Sequence, residues 1–171
     1  MSDFRTKRMR VAPWSAWVED PDKKPGFLKD LATILTSKVL AQLPPSMQLE
    51  RQDQAAVSEW VAALDRDADV MAVFIDYRLV GLLILSVGPD NNQHLGYLLS
   101  ESVWGKGLAS ELVRGHVSAL EASGLAYRLL GGVGVENPAS ARVLIKSGFR
   151  LEPELSDDKT DVYVLQIGRR T

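Results

Sequence analysis

The sequence predicts an α/β protein with a mixed sheet of about seven strands and helices on both faces. Two observations carry this. Seven runs have strand character and four have helical spacing, and helices alternate with strands only in the second half of the chain, as in a mixed rather than an all-parallel sheet. The 171 residues, 46% of them hydrophobic, suffice for one well-buried core, so a single domain over residues 1–171 is expected.

The first strand is "MRVAPW", residues 9–14, short, apolar and ending near a proline as an edge or opening strand does. Residues 25–43 place Phe27, Leu28, Leu31, Ile34, Leu35 and Val39 near helical spacing, and Pro44 and Pro45 stop that helix. A second helix starts at Asp53 as N-cap, with Ala56, Val57, Trp60, Val61 and Leu64 on one face. Residues 70–75 and 79–87 read as strands joined by the hairpin-length "DYR". "PDNNQ", residues 89–93, is a loop of turn formers, and residues 94–100 are the next strand. The helix over residues 106–123 turns Leu112, Val113, His116, Val117 and Leu120 inward and is closed by Gly124. A strand at 126–136, a short helix at 137–147 and strands at 148–155 and 160–168 complete the chain.

Composition narrows the function. Twenty Lys and Arg against 22 Asp and Glu leave a formal charge of −2, too weak a basic field for nucleic acid as a direct partner. The chain has no cysteine, which excludes disulfides, thiolate metal ligands and a cysteine nucleophile. No apolar run reaches the ~20 residues of a membrane span, so a cytoplasmic protein without a membrane partner is expected.

Residues 103–110, "VWGKGLAS", set two glycines one residue apart just ahead of a helix. Glycines there either permit a tight turn or leave bare amides facing an anion. A P-loop needs G-x-x-x-x-G-K-[ST], but Ser100 stands at its first glycine and Gly107 follows Lys106. A dinucleotide fingerprint finds Gly105, Gly107 and a later acid, Glu136, but Ser110 replaces its third glycine.

Taken together, "LGYLLSESVWGKGLASELV" and "VGVENPASARVLIKSGFRLEP" resemble the GNAT superfamily of acetyl-CoA-dependent N-acetyltransferases, most closely its ribosomal-protein N-acetyltransferase-like branch. The resemblance covers about the central third of the chain. It implies a mostly antiparallel GNAT-like sheet, acetyl-CoA as cosubstrate with no metal, and acetyl transfer to a primary amine, a protein N-terminal amine being favoured. The family's loop motif falls on Trp104, Gly105, Lys106, Gly107, Leu108 and Ala109, followed by Ser110; Trp104 stands where the family usually has Gln or Arg. Amides at this helix start would hold the coenzyme's pyrophosphate, with the helix dipole favouring the anion. By the same resemblance, Tyr97, Leu98 and Leu99 pair with the amides of the pantetheine arm. Asn137, also an ordinary N-cap ahead of Pro138, reaches that arm.

Transfer requires a neutral amine and a stabilised leaving thiolate. His94 and Glu136 are candidate proton acceptors; Glu101 is a third, set in a polar run that reads as solvated loop. Many members of the family place a tyrosine acid seven residues after the asparagine, where this chain has Leu144. Ser140 is the nearest hydroxyl and the candidate acid, its other reading being a helix cap. His116 reads as a hydrogen-bonded core residue. The acceptor is expected near the first two helices, with Trp14, Trp17 and residues 43–47, and a homodimer is admitted. Two alternatives stay open: an enzyme for a small amine such as an antibiotic, polyamine or amino acid, and an acyl-CoA-binding module without catalysis.

Overall fold

The computed structural model describes residues 2–88 and 92–168. Among them the strands are β1 (Phe4–Arg5), β2 (Arg10–Pro13), β3 (Asp69–Ile75), β4 (Arg78–Val87), β5 (Asn92–Leu99), β6 (Tyr127–Gly134), β7 (Arg150–Leu151) and β8 (Thr160–Ile167). They are hydrogen-bonded in the order β1-β2-β3-β4-β5-β6-β8-β7. β5 and β6 run parallel, while β1–β2, β2–β3, β6–β8 and β7–β8 are antiparallel. This is the expected mixed, mostly antiparallel sheet, with β1 as an additional strand. The helices are α1 (Ser15–Val18), α2 (Lys24–Ile34), α3 (Ser37–Leu40), α4 (Gln54–Asp67), α5 (Leu108–Ala122) and α6 (Pro138–Lys146). The chain divides into two compact units, Met1–Ile84 with Tyr97–Lys106 and Leu85–Gly96 with Gly107–Thr171.

In the first unit, Val70 and Ala72 of β3, Leu82 of β4 and Leu98 of β5 share an apolar cluster with Trp14, Phe27, Leu31, Leu35, Val57, Trp60 and Val61. Asp53 caps α4 as expected, its Oδ1 accepting from Ala56 N at 2.9 Å. The single helix expected over residues 25–43 is two helices. Thr36 adopts extended backbone (ψ 162°) and caps α3 through its side chain, and Gln52 Nε2 donates to the Leu35 carbonyl at 2.9 Å, satisfying an acceptor the break sets free. Asp76 and Tyr77, at φ 46° and 64°, form the two-residue turn between β3 and β4; Arg78 already belongs to β4. A Cβ on Gly81 would collide with the Leu98 carbonyl oxygen and stand 2.6 Å from Leu99 Cδ2, so β4 approaches this end of β5 more closely than any side chain allows.

In the second unit, β6 pairs with β8 from Tyr127↔Ile167 to Gly134↔Thr160. α5 buries Leu108, Leu112, Val113, His116 and Leu120, and α6 buries Leu144 against β6, where a Cβ on Gly131 would come within 2.6 Å of Leu144 Cδ1. The strand expected over 148–155 contracts to β7, because Gly148 turns at φ 93° and Pro153 opens a 3₁₀ turn, Pro153–Leu155. Of the loop expected at 89–93, Pro89, Asp90 and Asn91 lie outside the described residues, and Asn92 and Gln93 are already in β5.

His116 is fully buried at 0% exposure, and its Nε2 lies 2.8 Å from Oε1 of Gln93, itself 1% exposed. Burial pushes the imidazole down to about 4. An unfolded histidine takes up its proton near ~6.5, so the stability tied to neutral His116 is complete above that pH and is lost as pH falls toward 4; the full loss is ~3 kcal/mol. Urea unfolding of wild type and His116→Gln across pH 7.5 to 4.5 is expected to show the wild type losing stability faster than the variant. Parallel pH profiles would overturn this assignment.

Candidate active site

The double-glycine loop is fixed at its first half within the first unit. After β5, residues Glu101–Val103 form a 3₁₀ turn, and Trp104 Nε1 donates to the Leu99 carbonyl at 2.7 Å, so the indole folds back on the strand it leaves. Lys106 Nζ donates to the Ser102 carbonyl at 2.8 Å, and Arg8 Nη1 donates to the Lys106 carbonyl at 2.9 Å. Gly105 and Gly107 both occupy left-handed backbone, at φ 72° and 74°. A Cβ on Gly105 would meet nothing within 4 Å, so what requires glycine there is the backbone conformation, and the space above it is open.

Gly107 is the N-cap of α5 and supplies no side-chain cap. Glu111 N closes on the Gly107 carbonyl at 3.1 Å, so the preceding amides of Leu108, Ala109 and Ser110 have no acceptor within the helix. These donors and the positive end of the helix dipole suit an anion such as a diphosphate.

α6 begins with a reciprocal pair. Asn137 Oδ1 accepts from Ser140 N at 3.1 Å, and Asn137 Nδ2 donates to Ser140 Oγ at 3.1 Å. Asn137 therefore serves as the N-cap the sequence suggested. Ser140 Oγ accepts from it and keeps its own proton to donate elsewhere. Glu136 is exposed in the turn immediately before this pair. His94 is exposed on β5 at the last pair of the register with β6, opposite Leu130, and no hydrogen bond or ion pair joins it to Ser140 or Glu136 among the described residues. Tyr97, Leu98 and Leu99 follow three residues beyond that last pair, half-buried, buried and buried.

Two features of the first unit differ from the sequence reading. Glu101 is no free loop carboxylate: Oε2 accepts from Thr36 Oγ1 at 2.6 Å, and Oε1 lies 3.3 Å from Lys38 Nζ. The Thr36 hydroxyl, with Lys38 beside it, holds this carboxyl below its ordinary range. Trp14, expected near the acceptor, is a core residue at 2% exposure, with Nε1 donating to Asp65 Oδ1 at 2.7 Å. Trp17 is half-buried, stacked on Phe27 at 6.2 Å and tilted against Phe74 at 4.8 Å between ring centroids. Sequence reasoning missed Arg8 as a tie to the loop; its one local signal was the cationic run Arg5, Lys7, Arg8, Arg10. No group of three or more His, Cys, Asp or Glu is placed to hold a metal among the described residues, and none of their helices is long and apolar enough to cross a membrane.

The acetyltransferase (GNAT) domain family matches residues 13–150, and the chain belongs to that family. It is an acyltransferase whose donor is acetyl-CoA and whose acceptor is an amine. Solved structures share the fold at low identity. RimL, a ribosomal L7/L12 alpha-N-protein acetyltransferase in complex with coenzyme A, is 17% identical with a TM-score of 0.71, over 96% of this chain and 98% of that one. The Salmonella typhimurium acetyltransferase that modifies the N-terminal serine of L7/L12 is 19% identical (TM-score 0.67; 96% and 97% covered). The Microcin C7 self immunity acetyltransferase MccE, in complex with acetyl-CoA and AMP, is 15% identical (TM-score 0.67; 94% and 93% covered). No curated protein sequence matches the chain significantly.

Proposed function

We propose that this acetyltransferase works by direct attack in a ternary complex, that its favoured acceptor is a protein N-terminal amine, and that residues 1–171 act as one acetyltransferase domain. The reading rests above all on the start of α5 behind two left-handed glycines, where the N-cap offers no side chain and the amides of Leu108, Ala109 and Ser110 have no acceptor within the helix. The family match runs through both compact units, which supports a single domain.

Each residue then has a task. The amides from Gly105 to Ser110 hold the diphosphate, while Trp104 and Lys106 keep the loop in shape. Tyr97, Leu98 and Leu99 offer backbone groups to the pantetheine arm beyond the point where the β5–β6 register ends, and Asn137 reaches the arm from the start of α6. Acetyl-CoA supplies the acyl group already activated as a thioester. His94 or Glu136 takes the proton from the amine, directly or through water, and Ser140, whose hydroxyl proton is left free by its bond from Asn137, donates to the leaving sulfur. Glu101, held as an anion by Thr36 and Lys38, is a poor base.

With no strong base assigned, the acceptor should be an amine already neutral near pH 7.5. An α-amine at ~7.7–8.0 meets this condition, whereas a lysine amine at ~10.4 is neutral about once in a thousand. Two of the structurally similar enzymes are, by their names, acetyltransferases of the L7/L12 N-terminus, which supports the same choice.

The test combines initial rates with mass detection on a panel of free-N-terminus peptides, N-blocked lysine peptides and small amines. Intersecting rate lines are expected, because a chain without cysteine cannot form an acetyl-cysteine intermediate. Free N-termini should be acetylated in preference to lysines, and Ser140→Ala should lower kcat about ten-fold, less than the loss of a full oxyanion donor. Parallel lines or a transfer-competent acetyl-enzyme would overturn direct attack, and turnover confined to small amines would replace the acceptor. Sedimentation of the same preparation decides whether two copies act together.

A further inference from the structure

We propose that Arg8 is a positioning residue for the coenzyme: its guanidinium holds the Lys106 carbonyl and thereby aims the Gly107 N–H at the diphosphate. This rests on the reading of the Gly105–Ser110 amides as the diphosphate site.

The bond spans 98 residues of sequence, with Arg8 Nη1 donating to the Lys106 carbonyl at 2.9 Å. That carbonyl and the Gly107 N–H belong to one planar trans peptide, in which they point in opposite directions. Fixing the oxygen from one side therefore fixes the direction of the N–H on the other. The hold matters here because this peptide plane turns about Lys106 ψ and Gly107 φ, and glycine, here left-handed, restrains its own φ less than any other residue does. A cationic donor on the carbonyl also polarises the peptide and strengthens its N–H as a donor.

The guanidinium comes from a well-anchored turn. Thr6 N donates to the Met9 carbonyl at 2.9 Å and Met9 N to Thr6 Oγ1 at 3.0 Å, closing the β1–β2 connection over Lys7 and Arg8. Met9 is 3% exposed and Val11 0%, and β2 pairs with β3 from Arg10↔Phe74 to Pro13↔Met71. Arg5, Lys7 and Arg10 flank Arg8 with no acid between Asp3 and Glu19, so the hairpin adds a local positive field to an otherwise slightly acidic chain. Because Arg8 and the anion lie on opposite sides of the peptide, Arg8 acts through that peptide and not as a phosphate ligand.

The experiment is calorimetric titration of wild type, Arg8→Met, Arg8→Lys and Gly107→Asp with coenzyme A and with dephospho-coenzyme A, which lacks the 3′-phosphate. Arg8→Met is expected to weaken both ligands about ten-fold and to the same extent, the scale of a lost charge-assisted hydrogen bond. Arg8→Lys should regain most of the affinity, since one N–H donor serves the carbonyl. KM for acetyl-CoA should rise in step, with kcat at saturation moving far less. If Arg8→Met lowers the melting temperature but leaves affinity intact while Gly107→Asp abolishes it, Arg8 is only a structural tie and the inference falls alone. If Gly107→Asp binds normally, the reading of the loop falls first. A loss confined to coenzyme A would make Arg8 a ligand of the 3′-phosphate and overturn its role through the peptide.

Discussion

Gly107→Asp is expected to abolish coenzyme A binding, while Gly107→Asn retains a measurable fraction. Both side chains tolerate left-handed backbone better than most, so the conformational cost at φ 74° is similar for the two. They differ in charge. A carboxylate ~5 Å from one phosphate charge, at an effective dielectric constant of about 20, repels it by ~3 kcal/mol, and a diphosphate carries more than one such charge. The aspartate variant should thus bind at least a thousand-fold more weakly than wild type in calorimetry, and clearly more weakly than the asparagine variant. Equal affinities for the two would remove the anion from the start of α5.

Gly81→Ala should be the most destabilising single methyl addition in the first unit. The new Cβ would press on the Leu98 carbonyl, a backbone atom that cannot rotate away, and on Leu99 Cδ2 at 2.6 Å. Overpacking of this kind costs about 1–3 kcal/mol where side chains can yield, and more where backbone must move. We expect ~3 kcal/mol or more, read as a large fall in the urea midpoint. Gly26→Ala makes the control: it lies in α2 with nothing within 4 Å of the added carbon, and should gain roughly 0.5–1 kcal/mol. A Gly81→Ala protein as stable as wild type would mean that β4 and β5 can separate without cost.

What the sequence allowed and what it withheld differ by range. Asp53 and Asn137 announce helix starts because a side-chain cap acts within three residues. The break at Thr36 was also local, a capping residue ahead of Ser37, but it was hidden by apolar positions that keep helical spacing through Leu31, Ile34, Leu35 and Val39. Pro153 likewise carried the signal that cuts β7 short. The contacts that shape the loop gave no such sign. Thr36 with Glu101, Arg8 with Lys106 and Gly81 with Leu98 are tertiary pairs, and no periodicity encodes which distant residue a side chain will meet. For the same reason the sequence showed that Leu144 stands where a family tyrosine is usual, but only the packing on Gly131 shows that it is a core residue.

Trp104 is 42% exposed, whereas Trp14 and Trp60 are 2% and 7% exposed and Trp17 is half-buried among phenylalanines. The four indoles therefore differ sharply in their access to a dissolved quencher such as iodide. Emission that iodide suppresses comes chiefly from the ring that opens the Gly105–Gly107 loop, tied by its N–H to Leu99. The protein thus carries its own optical report on that loop, readable without a label.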